Sequence, residues 1–220
     1  MENKIRVVLV DDHPLVREGL VNLINQSPGL EVCGEAGNEP QALEVISVTR
    51  PDVAVVHITL ENGSGLELLK NLKSSHPQVK PLVLSMHDEN IYAERALHAG
   101  ARGYIMKREA AKKVIAGIHA VHAGQLYVSE KIAATMAEKF VGGRPSAANA
   151  SPMELLSDRE LQVFELLGRG QGTRQISESL NVGFKTVQAY QARIKEKLQL
   201  ANATELMRAA IRWHESKAEK

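Results

Sequence analysis

Only one cysteine, Cys33, occurs among the 220 residues, so the chain cannot form an internal disulfide. Cys33 lies in a short strand-like segment, residues 30–34. A free cysteine in such a segment usually packs as a small hydrophobic side chain. No apolar run approaches the ~20 residues that a membrane-spanning helix needs. The first four residues run into an apolar segment without the pattern of a signal peptide. The sequence therefore predicts a cytoplasmic protein with no membrane partner.

The chain also lacks a net charge of either sign. Its 27 lysines and arginines nearly balance 26 aspartates and glutamates, which leaves a formal charge of +1. No overall field therefore attracts the protein to nucleic acid, and any such binding must come from a local patch. Internal repeats and long low-complexity tracts are absent as well. The hydrophobic content of 44% nevertheless suffices for the cores of one or two domains.

Strand-like and helix-like segments alternate through the first half of the chain. Apolar runs rich in β-branched residues are each followed by an amphipathic segment, with start signals at Pro14, Asn38 and Ser64. Five strand-helix units indicate an α/β fold with a doubly wound parallel sheet covered on both faces. The predicted strands are residues 5–10, 30–34, 53–56, 81–85 and 103–107.

Polar residues occur where the predicted strands end. In a doubly wound sheet the carboxyl ends of the first, third, fourth and fifth strands lie near one edge, where ligands bind. We therefore expect one cluster at this edge, made of Asp11, Asp12, His57, Ser85 and Lys107.

These residues and their neighbours carry a family resemblance. The motifs are Asp11-Asp12, Ser85-Met86-His87 and Ala99-Gly100-Ala101-Arg102-Gly103-Tyr104-Ile105-Met106-Lys107. They resemble the receiver domain of bacterial two-component response regulators, and the match covers about residues 1–125. The resemblance implies a CheY-like five-stranded sheet and a sensor histidine kinase as a partner.

The resemblance also implies a role for each matching residue. Asp11 and Asp12 would hold Mg²⁺, while the Ser85 hydroxyl and the Lys107 ammonium would bind a phosphoryl group. Tyr104 would be the aromatic switch that responds to phosphorylation. In the family an aspartate at the end of the third strand accepts the phosphoryl group, and here that position is occupied by His57.

The histidine departs from the family at the atom that the chemistry requires. An acyl phosphate needs a carboxylate nucleophile beside a hard, oxygen-ligated metal ion. We therefore expect no phosphorylation at His57, and weakened Mg²⁺ binding. Asp52 precedes the strand and lies at its opposite end, and Glu61 is expected to be a solvated loop charge, so neither readily replaces the acceptor.

Three interpretations of His57 remain open at this point. The imidazole could serve packing and hydrogen bonding in a receiver that no longer accepts phosphate. His57 could instead be a substitution, natural or introduced, of the acceptor aspartate in an otherwise phosphorylation-regulated protein. The third interpretation is new chemistry, either phosphorylation of His57 itself or a transition metal held by Asp11, Asp12 and His57.

The composition changes after residue 125. Ser129 is a candidate N-cap for a short amphipathic helix, and residues 142–152 are small, polar and interrupted by glycine and proline. Such a composition is typical of a flexible linker. We assign residues 126–152 to a connector helix and linker and residues 153–220 to a second domain.

The second domain contains a predicted helix-turn-helix. A capping box at Ser157 and Glu160 begins its first helix. A short helix at 173–180, a glycine-containing turn and a longer helix at 184–198 follow. In this motif the second helix lies in the DNA major groove, although the motif alone is weak evidence for DNA binding.

A second family resemblance supports DNA binding. Leu156-Ser157-x-Arg159-Glu160, Gly170, Ile176, Leu180, Thr186-Val187 and Lys197-Leu198 resemble the small all-α, LuxR-type DNA-binding domain. Together with the receiver they resemble the NarL/FixJ class over essentially the whole chain. The resemblance implies a transcription regulator that binds double-stranded DNA as a homodimer and is not an enzyme.

The candidate DNA contacts lie on and near the second helix of the motif. By resemblance, bases would be read near Gln188, Ala189 and Ala192, and glutamine can read adenine. Positively charged side chains could contact phosphates. The family commonly has lysine where Gln188 stands, histidine at Tyr190 and serine at Gly183. The remaining candidate contacts are Arg174, Lys185, Thr186, Arg193 and Lys195.

Two functions of different classes follow from these patterns. The leading hypothesis is a DNA-binding regulator whose receiver lacks the ordinary phosphorylation switch. The alternative is a receiver-like decoy that sequesters a partner protein and does not bind specific DNA. The departures at Gly183, Gln188 and Tyr190 favour the decoy, whereas the intact apolar framework and Arg193 and Lys195 favour DNA binding.

Overall fold

The computed structural model describes residues 4–60, 63–109, 111–142 and 152–218. The chain divides into two units, Met1–Val141 and Gly142–Lys220. Buried apolar side chains form a core in each unit. The first unit is α/β and the second is helical.

Five parallel strands form the sheet of the first unit. They are β1 (Ile5–Val10), β2 (Leu30–Ala36), β3 (Val53–Val56), β6 (Lys80–Ser85) and β7 (Gly103–Met106). Their order in the sheet is β2-β1-β3-β6-β7, and this doubly wound sheet confirms the predicted fold class. A two-stranded ladder pairs β4 (Thr59–Leu60) with β5 (Gly63–Ser64).

Helices connect the strands because parallel strands need a crossover between them. They are α1 (Pro14–Asn25), α2 (Glu39–Thr49), α3 (Gly65–Ser75), α4 (Glu89–Ala99), α5 (Ala111–His122) and α6 (Glu130–Gly142). Asn38 caps α2 as predicted, since its Oδ1 accepts a hydrogen bond from Gln41 N at 3.0 Å. Ser64 precedes α3, but its side chain makes no capping hydrogen bond, so that detail of the prediction is wrong.

The central strands are apolar along their whole length because helices cover both faces of the sheet. All four residues of β3 are buried. Val10 of β1 pairs with Val56 of β3, and Val56 pairs with Val83 of β6. This register brings the residues that follow β1 and β3 to the same edge of the sheet.

The segment after α5 returns to the sheet edge, which the sequence pattern did not indicate. Tyr127 forms a parallel bridge with Gly103. Its carbonyl accepts a hydrogen bond from Tyr104 N at 2.8 Å, and its N–H donates to Arg102 O at 3.0 Å. An ion pair between Lys139 and Glu94 then joins α6 to α4. Helix α6, through Val141, accordingly belongs to the first unit.

The second unit is a short 3₁₀ turn followed by helices. These are α7 (Asp158–Gly168), α8 (Thr173–Ser179), α9 (Phe184–Lys197) and α10 (Ala203–Ala218). The predicted capping box at the start of α7 is present. Phe164 is fully buried in α7, with its ring centroid 5.5 Å from that of Trp213 on α10. Ile176 of α8 and Val187 and Ile194 of α9 are also fully buried.

Candidate functional site

Backbone hydrogen bonds align the strand ends that carry the polar residues. His57 N donates to Val10 O at 2.8 Å, which holds the end of β3 beside the end of β1. Lys107 N donates to Ser85 O at 2.8 Å at the other side of the sheet edge. The four residues Asp11, His57, Ser85 and Lys107 therefore lie along one edge, although they come from four separate strands.

Gly65 allows the loop after His57 to fold closely against it. A Cβ atom on Gly65 would lie 2.1 Å from the His57 carbonyl oxygen, far inside van der Waals contact. The N–H of Gly65 donates to Ile58 O at 2.7 Å, and this hydrogen bond keeps the backbone of Gly65 close to the His57–Ile58 segment. Any side chain at this position would displace the backbone of His57.

Asp11 is the buried carboxylate of the edge, with 3% of its surface exposed. The Lys107 ammonium forms an ion pair with its Oδ2. Its Oδ1 accepts a hydrogen bond from His13 N at 2.9 Å. Arg17 donates to the carbonyl oxygen of Asp11 at 2.6 Å. Both carboxylate oxygens of Asp11 are thus engaged on one side of the cluster.

His57 is 5% exposed, and its ring faces the two aspartates. Its Nδ1 lies 3.2 Å from Asp12 Oδ1 and 3.7 Å from Asp11 Oδ1. Burial lowers the pKa of His57, and the hydrogen bond to Asp12 opposes this effect without reversing it. The imidazole is therefore neutral near pH 7, with an Nδ1–H that donates to Asp12. Its Nε2 is buried and has no hydrogen-bond partner in the described part of the chain.

His13 also joins this cluster, and the sequence analysis missed it. Its Nδ1 lies 2.8 Å from Asp12 Oδ1 and 3.1 Å from Asp11 Oδ1. Its side chain is 60% exposed, so the cluster is open to solvent on this side. Burial raises the pKa of Asp12, but the hydrogen bond with His57 and the charge of His13 outweigh it and lower this pKa below its ordinary value. The position of His13 directly after the aspartate pair was a signal that could have identified it.

The other half of the edge is a hydrogen-bond network around His87. Buried Ser85 accepts a hydrogen bond at Oγ from His87 N at 3.1 Å. Tyr104 is buried and its hydroxyl donates to His87 O at 2.8 Å. The Nε2 of His87 lies 2.8 Å from Thr59 Oγ1. The candidate switch residue Tyr104 is thus directed inward and linked to the loop that carries His57.

The candidate DNA contacts form the exposed face of α9. Val187 and Ile194 are buried, which turns the opposite side of the helix to solvent. Lys195 is half-buried, and Arg174 on α8 is exposed and lies 3.4 Å from Glu178. The fully exposed candidates on α9 are Lys185, Thr186, Gln188, Ala189, Ala192 and Arg193. Gln191 links α9 to α8 through a 3.2 Å hydrogen bond to Thr173.

Comparison with known protein families assigns both units. Residues 7–119 match the response regulator receiver domain, and residues 154–210 match the bacterial regulatory proteins of the luxR family. The chain belongs to the LuxR-type response regulators. It is a DNA-binding transcriptional regulator of the NarL/FixJ class, which confirms the resemblance found in the sequence.

Relatives of similar length support this assignment. The response regulator GacA of Pseudomonas viridiflava is 36% identical over 208 residues, which cover 94% of this chain and 96% of that protein. The oxygen regulatory protein NreC of Staphylococcus carnosus is 32% identical over 210 residues, covering 94% and 97%.

Solved structures show the same fold. RcsB from Salmonella enterica serovar Typhimurium, bound to a promoter with a phosphomimetic, has a TM-score of 0.68 and 21% identity over 94% of this chain and 98% of that chain. A LuxR-family response regulator from Aurantimonas sp. SI85-9A1 has a TM-score of 0.58 and 35% identity over 63% and 99%.

Receiver domains bind Mg²⁺ through acidic residues, and this response regulator fits that ion poorly. Mg²⁺ prefers oxygen ligands, but the cluster offers two carboxylates and two imidazoles.

No helix in the described ranges is long and apolar enough to cross a membrane.

Proposed function

We propose that this response regulator controls transcription as a DNA-binding homodimer whose receiver is not phosphorylated at position 57. The observation that carries the proposal is the buried His57 side chain at the end of β3. A neutral imidazole at this point cannot form the acyl phosphate that a carboxylate forms. A sensor kinase of the usual kind would therefore find no acceptor there.

Phosphorylation of His57 itself is disfavoured by its surroundings. Its Nδ1 faces the carboxylates of Asp11 and Asp12, and its Nε2 is buried. A phosphoryl group on Nδ1 would bring negative charge against two carboxylates. Mg²⁺ would not offset this repulsion well, because the site has lost one hard oxygen ligand.

The remaining pocket residues favour a second candidate, a phosphorylation-regulated protein with a substituted acceptor. Asp11 pairs with Lys107, and Ser85 and Tyr104 both contact His87. These are the groups that a phosphorylated receiver uses around its aspartate. This candidate requires that the only defect be at position 57.

We assign DNA recognition to α9, within a DNA-binding domain of residues 153–220 that follows a connector at 126–152 and a receiver at 1–125. Gln188 would read a base edge, with Ala189 and Ala192 contacting bases nearby. The remaining candidates would contact phosphates and the backbone: Arg174, Lys185, Thr186, Arg193 and Lys195. A homodimer would recognise two half-sites about 10 base pairs apart, and a regulator acting on the chromosome works in the cytoplasm.

Footprinting with selected genomic DNA tests the DNA-binding part. The full-length protein should protect paired half-sites, and the affinity should fall steeply as salt rises because phosphate contacts release counterions. The variant Lys185→Ala should bind more weakly, whereas Lys112→Ala, which removes the same charge from an exposed position on α5, should not. Protection no stronger than on random DNA would favour the decoy.

Labelling with a small acyl phosphate donor tests the receiver part. The wild-type protein should show no covalent phosphate and no change in oligomeric state. Stable labelling of position 57, mapped by mass spectrometry, would overturn the proposal.

A further inference from the structure

We infer that Asp11, Asp12, His13 and His57 form a binding site for a divalent transition-metal ion such as Zn²⁺ or Co²⁺. The inference goes beyond the proposed function, which needs only the loss of a phosphate acceptor. It is also independent of DNA binding, so either can fail without the other.

The spacing of the four side chains fits a metal ion. One ligand atom from each residue lies within 4.8 Å of all the others. Nδ1 of His13 is 3.1 and 2.8 Å from the Oδ1 atoms of Asp11 and Asp12, and Nδ1 of His57 is 3.7 and 3.2 Å from the same atoms. A tetrahedral ion with bonds of ~2.0–2.1 Å needs its ligands about 3.3 Å apart. The four nitrogen–oxygen distances lie on both sides of this value, and the nitrogen–nitrogen and oxygen–oxygen separations are at most 4.8 Å.

The donor set selects the class of metal. Imidazole nitrogen suits Zn²⁺, Cu²⁺, Ni²⁺ and related ions, whereas Mg²⁺ prefers oxygen and gives up its water reluctantly. His57 replaces an expected carboxylate, and His13 adds a second nitrogen beside it. The site has therefore changed from an oxygen-only set to a mixed set of two nitrogens and two oxygens.

The hydrogen bonds of the two imidazoles show what an ion would replace. His57 Nδ1 bonds to Asp12 Oδ1 and His13 Nδ1 bonds to Asp11 Oδ1, so without a metal each ring directs an Nδ1 proton at a carboxylate of the cluster. A single ion between the four ligands would take the place of these two protons, and each neutral ring would then carry its proton on Nε2. His13 lies on the exposed side of the cluster and provides the route of entry.

Charge and burial point the same way. Asp11 and Asp12 carry two negative charges, and Lys107 supplies one positive charge through its ion pair with Asp11. One negative charge therefore remains uncompensated in a site where Asp11 and His57 are nearly inaccessible to water, and this charge would attract a cation.

The hydrogen bonding of His57 is confined to the side of the ring that faces the aspartates. Its Nδ1 makes a 3.2 Å hydrogen bond to Asp12 Oδ1. Its Nε2, on the other side of the ring, has no hydrogen-bond partner in the described part of the chain. The ring is thus held from the side where the proposed metal ligands meet.

The test uses the full-length protein after removal of metals with a chelator. Co²⁺ is the probe, because a tetrahedral site with nitrogen ligands gives it a strong visible absorption. We expect one Co²⁺ per chain at this site, displaced by one equivalent of Zn²⁺ and retained in a large excess of Mg²⁺. Displacement of Co²⁺ by an equal concentration of Mg²⁺ would overturn the inference.

Variants identify the ligands. His13→Ala removes a mostly exposed side chain and should leave the fold intact, yet weaken Co²⁺ binding by at least about tenfold. His57→Asp should weaken the nitrogen-ligand absorption of this site, because only His13 still supplies a nitrogen, and should strengthen Mg²⁺ binding. An unchanged Co²⁺ affinity in His13→Ala would contradict the proposed site.

A matched control addresses a rival surface site. His119 and His122 are exposed on α5 and three residues apart, so they could hold an ion between them. The double variant His119→Ala, His122→Ala should keep the Co²⁺ absorption and the Zn²⁺ competition. Loss of both in this variant would assign the ion to α5 and overturn the inference.

Discussion

The receiver edge and the exposed face of α9 are built in opposite ways. The edge collects Asp11, His57 and Lys107 from distant parts of the chain and buries most of their surface. The α9 face takes neighbouring residues from one helix and leaves them in water. A single substitution in the buried cluster therefore changes its chemistry, whereas substitutions on the exposed helix change the affinity in small steps.

Restoring a carboxylate should have the largest effect. The variant His57→Asp should accept phosphate from small acyl phosphate donors, changing labelling from none to nearly stoichiometric, because the other pocket residues are in place. Mass spectrometry gives the labelled position, and light scattering gives the oligomeric state. Absence of labelling in a folded variant would mean that the pocket has lost more than its acceptor.

Gly65→Ala tests how far the cluster depends on its backbone. The new Cβ would overlap the His57 carbonyl, so we expect a loss of about 3 kcal/mol in the stability of the first unit. Gly37→Ala is the matched control, because its nearest neighbour would lie 3.7 Å away, an ordinary contact. Urea unfolding measures the stability of both variants. Equal stabilities would show that the close approach of Gly65 to His57 is not required for the fold of the site.

Gln188→Ala should change the sequence preference of the regulator. A glutamine that reads adenine contributes about 1–2 kcal/mol of discrimination, so the variant should lose preference at one base pair in each half-site. Lys185→Ala should instead weaken binding to all sequences and reduce the salt dependence by about one counterion. Selection from a randomised operator separates the two outcomes, and an unaltered preference in Gln188→Ala would exclude this contact.

The smallest effect concerns the capping box of the second unit. Burial raises the pKa of Glu160, but hydrogen bonds from Lys197 and Ser157 outweigh it and hold this pKa below its ordinary value. The folded protein thus binds the proton less readily than the unfolded chain. The stabilisation is complete above the ordinary pKa of about 4.3 and is lost as the pH falls through the lowered value.

Glu160→Gln should remove this pH dependence. The cap contributes on the order of 1 kcal/mol. Thermal unfolding of the full-length protein between pH 3 and pH 6 measures this contribution. Glu154→Gln, which changes a nearby exposed carboxylate, is the control. The same acid response in wild type and Glu160→Gln would show that other groups cause it.

Much of the fold followed from local patterns. Apolar runs of strand length predicted the five sheet strands within a few residues, and the capping box of α7 was visible in Ser157 and Glu160. Contacts between segments that are distant in the sequence were harder, because they depend on chain paths that local periodicity does not encode. The edge bridge of Tyr127 and the inward network around His87 are of this kind.

The sequence by itself determined the family, the order of the two units and the histidine at the acceptor position, because these depend on motifs and their spacing. Only the tertiary structure decided what surrounds that histidine. The Nδ1 atoms of two imidazoles lie within 3.2 Å of one aspartate oxygen because the ends of β1 and β3 lie side by side and the chain turns at His13 into α1. Such distances arise from the packing of separate strands, which no local pattern specifies.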